Sequence, residues 1–352
     1  MVAGAAVAGL LSLAAGCGAS GPHLVLNARP AAAHEAIQPA AGEGSLGGLR
    51  LVSRSHTPRK SGTHQSVLAS GSVLFGGTDS LVGEQGALGR RLAMVRVYYH
   101  IGGTFPQASD RRNMTQGSTE LISLDSAGAS YASIAAGAED ASIRAFLRAV
   151  NQAAFDYHLG AIYISFEHEP DGPQHAALGS AAEFVRAWDH VHQLAVAARL
   201  DWNQGGRLHW VLIFIHNTYE NGRANLYWPG AGEVDVVAAD GYNSFRCGNE
   251  AQQQIPTPAE LFNPLLSFAG AHGLPAFIAE WGSDTSTPDA QPRFIEQMQA
   301  YLASNRQIAA ALYWDWSGTG CSYRVDGHPA ALAALAALGR SAMMQASASL
   351  AS

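Results

Sequence analysis

The feature that most restricts the fold is an alternation, from about residue 66, of short apolar runs with longer alanine-rich stretches. The short runs have the length and the β-branched and aromatic content of strands, and the longer ones are helical in character. This alternation is typical of βαβ units that build a parallel sheet. We predict eight strands, at 72–75, 94–99, 120–124, 161–166, 208–215, 234–239, 276–280 and 309–314.

Helices are predicted between these strands, for example at 141–157, 180–199, 258–272 and 291–304. Eight strands with intervening helices match a single (β/α)8 TIM barrel of the α/β class, a fold that needs about 250 residues. We assign the barrel to 67–338 and a flexible tail to 339–352. An open doubly wound sheet is the alternative, but it would more often carry a glycine-rich phosphate loop where this chain has Phe-Gly-Gly-Thr.

The amino-terminal segment predicts export. Residues 2–16 form an apolar run of signal-peptide length, too short to span a bilayer. Small residues precede Cys17, as in a bacterial lipobox, so residues 1–17 are assigned to a signal peptide and Cys17 to lipidation. Residues 18–66 are predicted to be a flexible linker. A lipid-anchored bacterial protein, secreted or at the cell surface, is expected, with membrane contact only through that anchor. A plain secretory signal is the alternative.

The cysteines, the net charge and the histidines indicate which crosslinks, partners and cofactors to expect. An exported chain permits a disulfide between Cys247 and Cys321, with two unpaired buried thiols as the alternative. The net charge of −7 argues against a nucleic-acid partner. The 14 histidines form no compact ligand pattern in the sequence, so neither a metal nor another cofactor is predicted.

Two glutamates end strands on the predicted barrel. In the run AIYISFEHEPDG, period-two alternation places Glu167 and Glu169 on the lumen face and turns His168 away. In LPAFIAEWGS, the same alternation groups Ala276, Ile278 and Glu280 on one face. Catalytic groups of such barrels stand at the carboxyl ends of strands. Both acids are therefore expected at the mouth, although a lone glutamate there more often makes a buried ion pair or ends an exposed strand.

A pair of carboxyl groups about 5–5.5 Å apart performs retaining glycoside hydrolysis. One must be protonated to donate to the leaving oxygen, and the other must be ionised to attack the anomeric carbon. Aromatic residues near the strand ends, Tyr242, Trp281, Trp314 and Trp316, suit stacking on sugar rings. Core packing is the alternative for each tryptophan.

Three segments resemble glycoside hydrolase family 26, the β-mannanase family. They are HEPDG at 168–172, YWPGAGEVDVVAADGYN at 227–243 and AEWGS at 279–283, in the family's order, and the resemblance covers roughly 70–338. It implies that Glu169 is the acid/base and Glu280 the nucleophile. It also implies that His168 orients the acid or binds the sugar, and that Tyr242 donates to Glu280.

The chain departs from the family pattern around the first motif. Asp-Gly-Pro at 171–173 replaces Asn-Gly-Trp, and Ser165 stands where an arginine is common. The sequence therefore predicts an endo-acting retaining glycoside hydrolase of a β-linked polysaccharide but leaves the sugar open among β-mannan, β-glucan, xylan and envelope glycans. A non-catalytic glycan-binding surface lipoprotein on the same barrel is the competing hypothesis.

Overall fold

The computed structural model describes residues 72–247, 254–285, 287, 289–318 and 320–344. The predicted signal peptide with Cys17, the predicted linker and the last eight residues of the predicted tail, 345–352, lie outside these described residues. The described chain forms a closed barrel of eight strands in sequence order. Every neighbouring pair of barrel strands is parallel, and β1 pairs with β8 to close the ring.

All eight predicted strands are present, with ends shifted by up to four residues. They are β1 Leu74–Thr78, β2 Met94–His100, β3 Thr119–Asp125, β4 Ile162–Phe166, β5 Leu208–Ile215, β6 Val236–Asn243, β7 Ala276–Ser283 and β8 Ile308–Tyr313. A two-stranded hairpin, β9 Ser317–Gly318 and β10 Cys321–Ser322, follows β8.

Helices cover the outside of the barrel, and the four named predictions are confirmed within two residues. The helices are α1 Asp79–Val82, α2 Gln85–Leu88, α3 Ala108–Thr115, α4 Tyr131–Ala135, α5 Asp140–Asp156, α6 Ala181–Ala197, α7 His216–Glu220, α8 Pro258–His272, α9 Ala290–Ser304 and α10 Pro329–Arg340. Short 3-10 turns occur at Pro173–His175, Trp202–Gln204, Arg223–Tyr227 and Ala342–Met344. Ser180 and Thr257 cap α6 and α8 with their side chains, each in a capping box, which explains why these helices begin where the sequence predicts.

The apolar residues divide into two layers, as strand alternation requires. One buried cluster fills the lumen and includes Ala161 and Tyr163 of the β4 segment. A larger cluster lies between the strands and the helices and includes Ile162, Ile164 and Phe166. The predicted alternation of lumen-facing and outward-facing residues in the β4 segment is therefore confirmed up to Phe166.

The predicted alternation of β7 is wrong, because the strand contains a bulge. Ala239 of β6 pairs with Ile278, but the next residue, Asp240, pairs with Glu280, so Ala279 is an extra residue. Phe277 and Ala279 face the lumen, and Ile278 packs in the outer layer. Glu280 reaches the mouth because the bulge resets the alternation.

The barrel also extends beyond the predicted boundary at 338. Gly339 and Arg340 complete α10, and Met344 is fully buried. Arg90 donates to the carbonyl oxygens of Gly339 and Met344, and the Val73 amide donates to the Met343 carbonyl. These bonds join the end of the chain to the start of β1, so residues 339–344 belong to the domain. Within the described residues, no helix is long and apolar enough to cross a membrane.

A buried ion cluster lies at the opposite end of the barrel from the mouth. His192 of α6 contacts Asp201 through Nε2 at 3.2 Å and Glu233 through Nδ1. Burial alone lowers the pKa of His192, but the hydrogen bonds to both carboxylates outweigh it and raise the pKa to about 9. A doubly protonated imidazole therefore joins α6 to the segments that precede β5 and β6.

This cluster predicts a loss of stability in alkaline solution. Because the folded-state pKa of His192 is raised above that of the unfolded chain, its contribution is complete below about pH 6.5 and is lost as pH rises through about 9. The shift corresponds to about 3 kcal/mol at most. We expect the free energy of unfolding, measured with urea, to fall more between about pH 6 and about pH 10 for the wild type than for His192→Gln. Equal decreases would contradict the assignment.

Candidate active site

Glu280 stands at the carboxyl end of β7 and is 5% exposed. The hydroxyls of Tyr98 and Tyr242 donate to its two carboxylate oxygens. The Arg96 Nε lies 3.4 Å from the same carboxylate. Burial raises the pKa of both tyrosines well above its usual value, so they remain donors at neutral pH. Two hydroxyl donors and a guanidinium therefore point at the Glu280 carboxyl group and hold it at the mouth.

Arg96 and Tyr98 are site residues that the sequence analysis missed. Both face the mouth side of β2, alternating with Val95 and Val97 of the outer layer. The Arg96 guanidinium carbon lies 4.5 Å from the centre of the Tyr98 ring. An arginine inside an apolar strand was the available signal, because a buried charge needs a partner.

The segment that follows β4 does not continue the strand alternation, and two predicted orientations are wrong. Glu167 and Glu169 have φ values of 50° and 51°, in the left-handed region that non-glycine residues rarely adopt. Glu167 consequently turns from the lumen and accepts a hydrogen bond from the Ser126 amide. His168 instead faces the mouth, with its ring centre 5.5 Å from that of Tyr98.

Glu169 lies at the mouth within electrostatic range of Glu280 and Asp240. Burial, followed by the charge of Glu280, raises the pKa of Glu169 to about 7. Its amide donates to the Ile213 carbonyl of β5 at 2.9 Å. This carboxyl group is therefore partly protonated near neutral pH, as a general acid must be.

Asp240 is a third carboxyl group at the mouth and was also missed as a site residue. It follows the apolar part of β6, is fully buried, and interacts with Glu169. Burial, together with the charges of Glu280 and Glu169, raises the pKa of Asp240 well above its usual value. Asp240 is the first residue of the DGYN motif at 240–243, of which only Tyr242 was predicted as a site residue.

His168 is neutral at the mouth. Burial lowers the pKa of His168 well below its usual value, and the charge of Arg96 adds to the effect. A neutral imidazole offers one donor and one acceptor, which suits hydroxyl groups of a ligand.

An aromatic cavity of about 440 Å³ adjoins the carboxyl groups. Its walls include Tyr98, Trp314 and Trp316, with polar groups from the loops after β1 and β2. Trp314 meets Tyr98 edge to face at 5.8 Å, and Trp316 is 55% exposed. The remaining lining residues are Thr78, Asp79, Ser80, Arg96, Val97, Tyr99, Gln107, Ser109 and Asp110.

Trp281 does not belong to this aromatic wall, contrary to the prediction. Its side chain is fully buried in the outer layer, where it packs edge to face on Tyr313 at 4.9 Å. Because Glu280 faces the mouth, the next residue along the strand must face the helices.

The disulfide predicted between Cys247 and Cys321 is present and joins the loop after β6 to the β9–β10 hairpin. Tyr323 packs beside these cysteines, with its ring centre 5.0 Å from that of Tyr242. Its hydroxyl also lies 2.8 Å from the Ser244 hydroxyl. The crosslink therefore supports the tyrosine that donates to Glu280.

The barrel is similar to solved structures of other proteins. No family model and no curated protein matches the chain. A modular endo-β-1,4-mannanase of glycoside hydrolase family 26 from Cellulomonas fimi has 16% identity over 82% of this chain and 77% of its own, with a TM-score of 0.59. The catalytic domain of a family 26 endo-β-1,4-mannanase from Bacillus sp. JAMB-750 has 14% identity over 80% and 92%, with a TM-score of 0.53.

A third structure, a family 26 β-mannanase from Bacteroides ovatus, has 12% identity over 78% of this chain and 89% of its own, with a TM-score of 0.54. The chain is thus a distant structural match to the family 26 β-mannanases. At these identities the likeness establishes a shared TIM-barrel fold.

The disulfide predicts a measurable loss of stability on reduction. It closes a loop between residues separated by 74 positions, which corresponds to about 4 kcal/mol in the chain-entropy model. We expect Cys247→Ser with Cys321→Ser to lower the melting temperature by roughly 10 °C. Reductant should lower the wild-type value similarly and leave the double variant unchanged. A reductant effect of equal size on both proteins would assign the loss to something else.

Proposed function

We propose that this chain is a retaining glycoside hydrolase of family 26 type, acting within a β-linked polysaccharide. The observation that carries the proposal is the contrast between two carboxyl groups at one barrel mouth. Glu280 is held by two tyrosine hydroxyls and a guanidinium, which are surroundings that suit a nucleophilic carboxylate. Burial and the nearby charge raise the pKa of Glu169 to about 7, which favours its protonated form. Double displacement requires this division of roles.

In the proposed reaction, Glu169 donates its proton to the glycosidic oxygen while the Glu280 carboxylate attacks the anomeric carbon. The leaving sugar departs and a covalent glycosyl ester remains on Glu280. Glu169, now ionised, then removes a proton from water, which attacks the same carbon and releases Glu280. This chemistry uses the chain's own side chains and needs no cofactor.

The surrounding groups suit a carbohydrate substrate. Trp314 and Trp316 offer apolar faces for sugar rings, and His168 and Asp240 offer hydrogen-bonding groups beside the acids. The three solved structures described above are mannanases, so β-1,4-mannan is the first substrate to test, followed by β-glucan, xylan and envelope glycans. We also propose that the protein is exported and anchored through Cys17, because polysaccharide substrates lie outside the cell.

Substitution of the two acids tests the proposal. We expect the wild type to release reducing ends from one of these glycans, and Glu280→Ala to lose that activity by about 10³-fold or more. Glu169→Ala should lose about 10²–10⁴-fold on the polysaccharide. It should retain the first step on an aryl glycoside with a good leaving group, because such a group departs without a proton. Azide should then accelerate Glu169→Ala and give a β-glycosyl azide.

The matched control is Glu296→Ala, because Glu296 is an exposed acid on α9 away from the mouth. It should keep wild-type activity. If wild type and variants bind a glycan equally and none cleaves it, the chain is a non-catalytic glycan-binding protein.

The proton on Glu169 predicts the pH dependence of the reaction. Because its pKa is raised to about 7 and the protonated form is the active one, kcat/KM should fall as pH rises above about 7. The decrease should approach tenfold per pH unit. A kcat/KM that stays level to about pH 9 would remove Glu169 from the acid role.

A further inference from the structure

The backbone of Glu169 is fixed by three hydrogen bonds. Its amide donates to Ile213 at 2.9 Å, and its carbonyl accepts from the Gly172 amide at 2.9 Å. The same carbonyl lies 2.8 Å from Nδ1 of His175. The left-handed conformation at Glu169 therefore depends in part on a side chain from the loop that follows β4.

The hydrogen bond to that carbonyl determines the position of one proton on His175. A carbonyl oxygen only accepts, so Nδ1 of His175 carries hydrogen. The other ring nitrogen, Nε2, lies 3.5 Å from a carboxylate oxygen of Glu167. A bare Nε2 and an ionised carboxylate would present lone pairs to each other. A proton on Nε2 or on Glu167 lets the two side chains form a hydrogen bond.

Glu167 is in turn firmly held. It is 1% exposed, its other carboxylate oxygen accepts from the Ser126 amide, and the Tyr131 hydroxyl interacts with the same carboxyl group. Its own amide donates to the Leu124 carbonyl of β3 at 3.0 Å. A connected set of bonds thus runs from the loop after β3, through Glu167 and His175, to the Glu169 carbonyl.

We propose that Glu167 and His175 are positioning residues that hold Glu169 toward the mouth. Strand alternation alone would continue past Phe166, would turn Glu167 to the lumen and His168 away from it, and would not give Glu169 its left-handed backbone. The Glu167–His175 pair stabilises this departure from strand geometry. Glu167 is one of the two left-handed residues, and His175 bonds the carbonyl of the other, Glu169. This role rests on the proposed function of Glu169 as the acid/base.

The pair can be tested with substitutions that keep or remove its bonds. Glu167→Gln retains an oxygen for the Ser126 amide and supplies an N–H to Nε2 of a neutral His175. We expect its kcat to remain within about threefold of the wild type. Glu167→Leu and His175→Phe remove the link, so kcat should fall at least tenfold with KM little changed. Their combination should be no worse than the stronger single variant, because both break one chain of bonds.

Crystal structures of the same variants make the test independent of activity. We expect Glu169 to keep its left-handed φ in Glu167→Gln and to lose it in His175→Phe and Glu167→Leu. If the leucine variant does not fold, His175→Phe decides, because that side chain is 15% exposed and near the surface. A retained φ with unchanged kcat in His175→Phe would overturn the inference. If the wild type cleaves no glycan, the proposed function fails, while the φ of Glu169 still decides the positioning role.

Discussion

One guanidinium lies among three carboxyl groups at the mouth of this barrel, and that imbalance determines which of the three favours a proton. Arg96 pairs with Glu280, whereas the fully buried Asp240 and the partly buried Glu169 lie beside them. Three ionised carboxylates against one cation would be costly in a poorly hydrated site, so protons remain on the groups without an opposing charge. In the proposed reaction, Glu169 is the group that carries the proton because Glu280 has the guanidinium and the tyrosine donors.

Closure of the barrel brings these groups together from distant parts of the chain. The mouth residues come from β2, the segment after β4, β6 and β7, and strand order equals sequence order around the ring. Apart from Arg96, these residues lie in the carboxyl-terminal half of a strand or just after it, where side chains are no longer needed to fill the lumen. The helices and the buried His192 cluster stabilise the frame, and the mouth can therefore hold strained and charged residues that would destabilise a smaller fold.

The sequence was sufficient to predict the barrel, because strand alternation and helical spacing are local properties. It also predicted that Glu169 and Glu280 lie at the mouth and that Cys247 pairs with Cys321. The places where the chain departs from the two-residue alternation of a strand could not be predicted. No glycine marks the left-handed residues at 167 and 169, and an alanine in an apolar run does not reveal that β7 contains an extra residue. Arg96 could have been found, since a charged residue within an apolar strand demands a buried partner.

The extra residue in β7 has a consequence for how such a site can be gained or lost. Glu280 and Trp281 are neighbours whose side chains point in opposite directions, Glu280 to the mouth and Trp281 into the packing beneath the helices. Removing Ala279 would leave Glu280 facing the mouth and Trp281 facing the helices, because Ile278 already faces outward and Glu280 would follow it in regular alternation. What the extra residue adds is a second inward side chain, that of Ala279, so the loss of this one codon would not by itself turn the carboxylate away from the mouth.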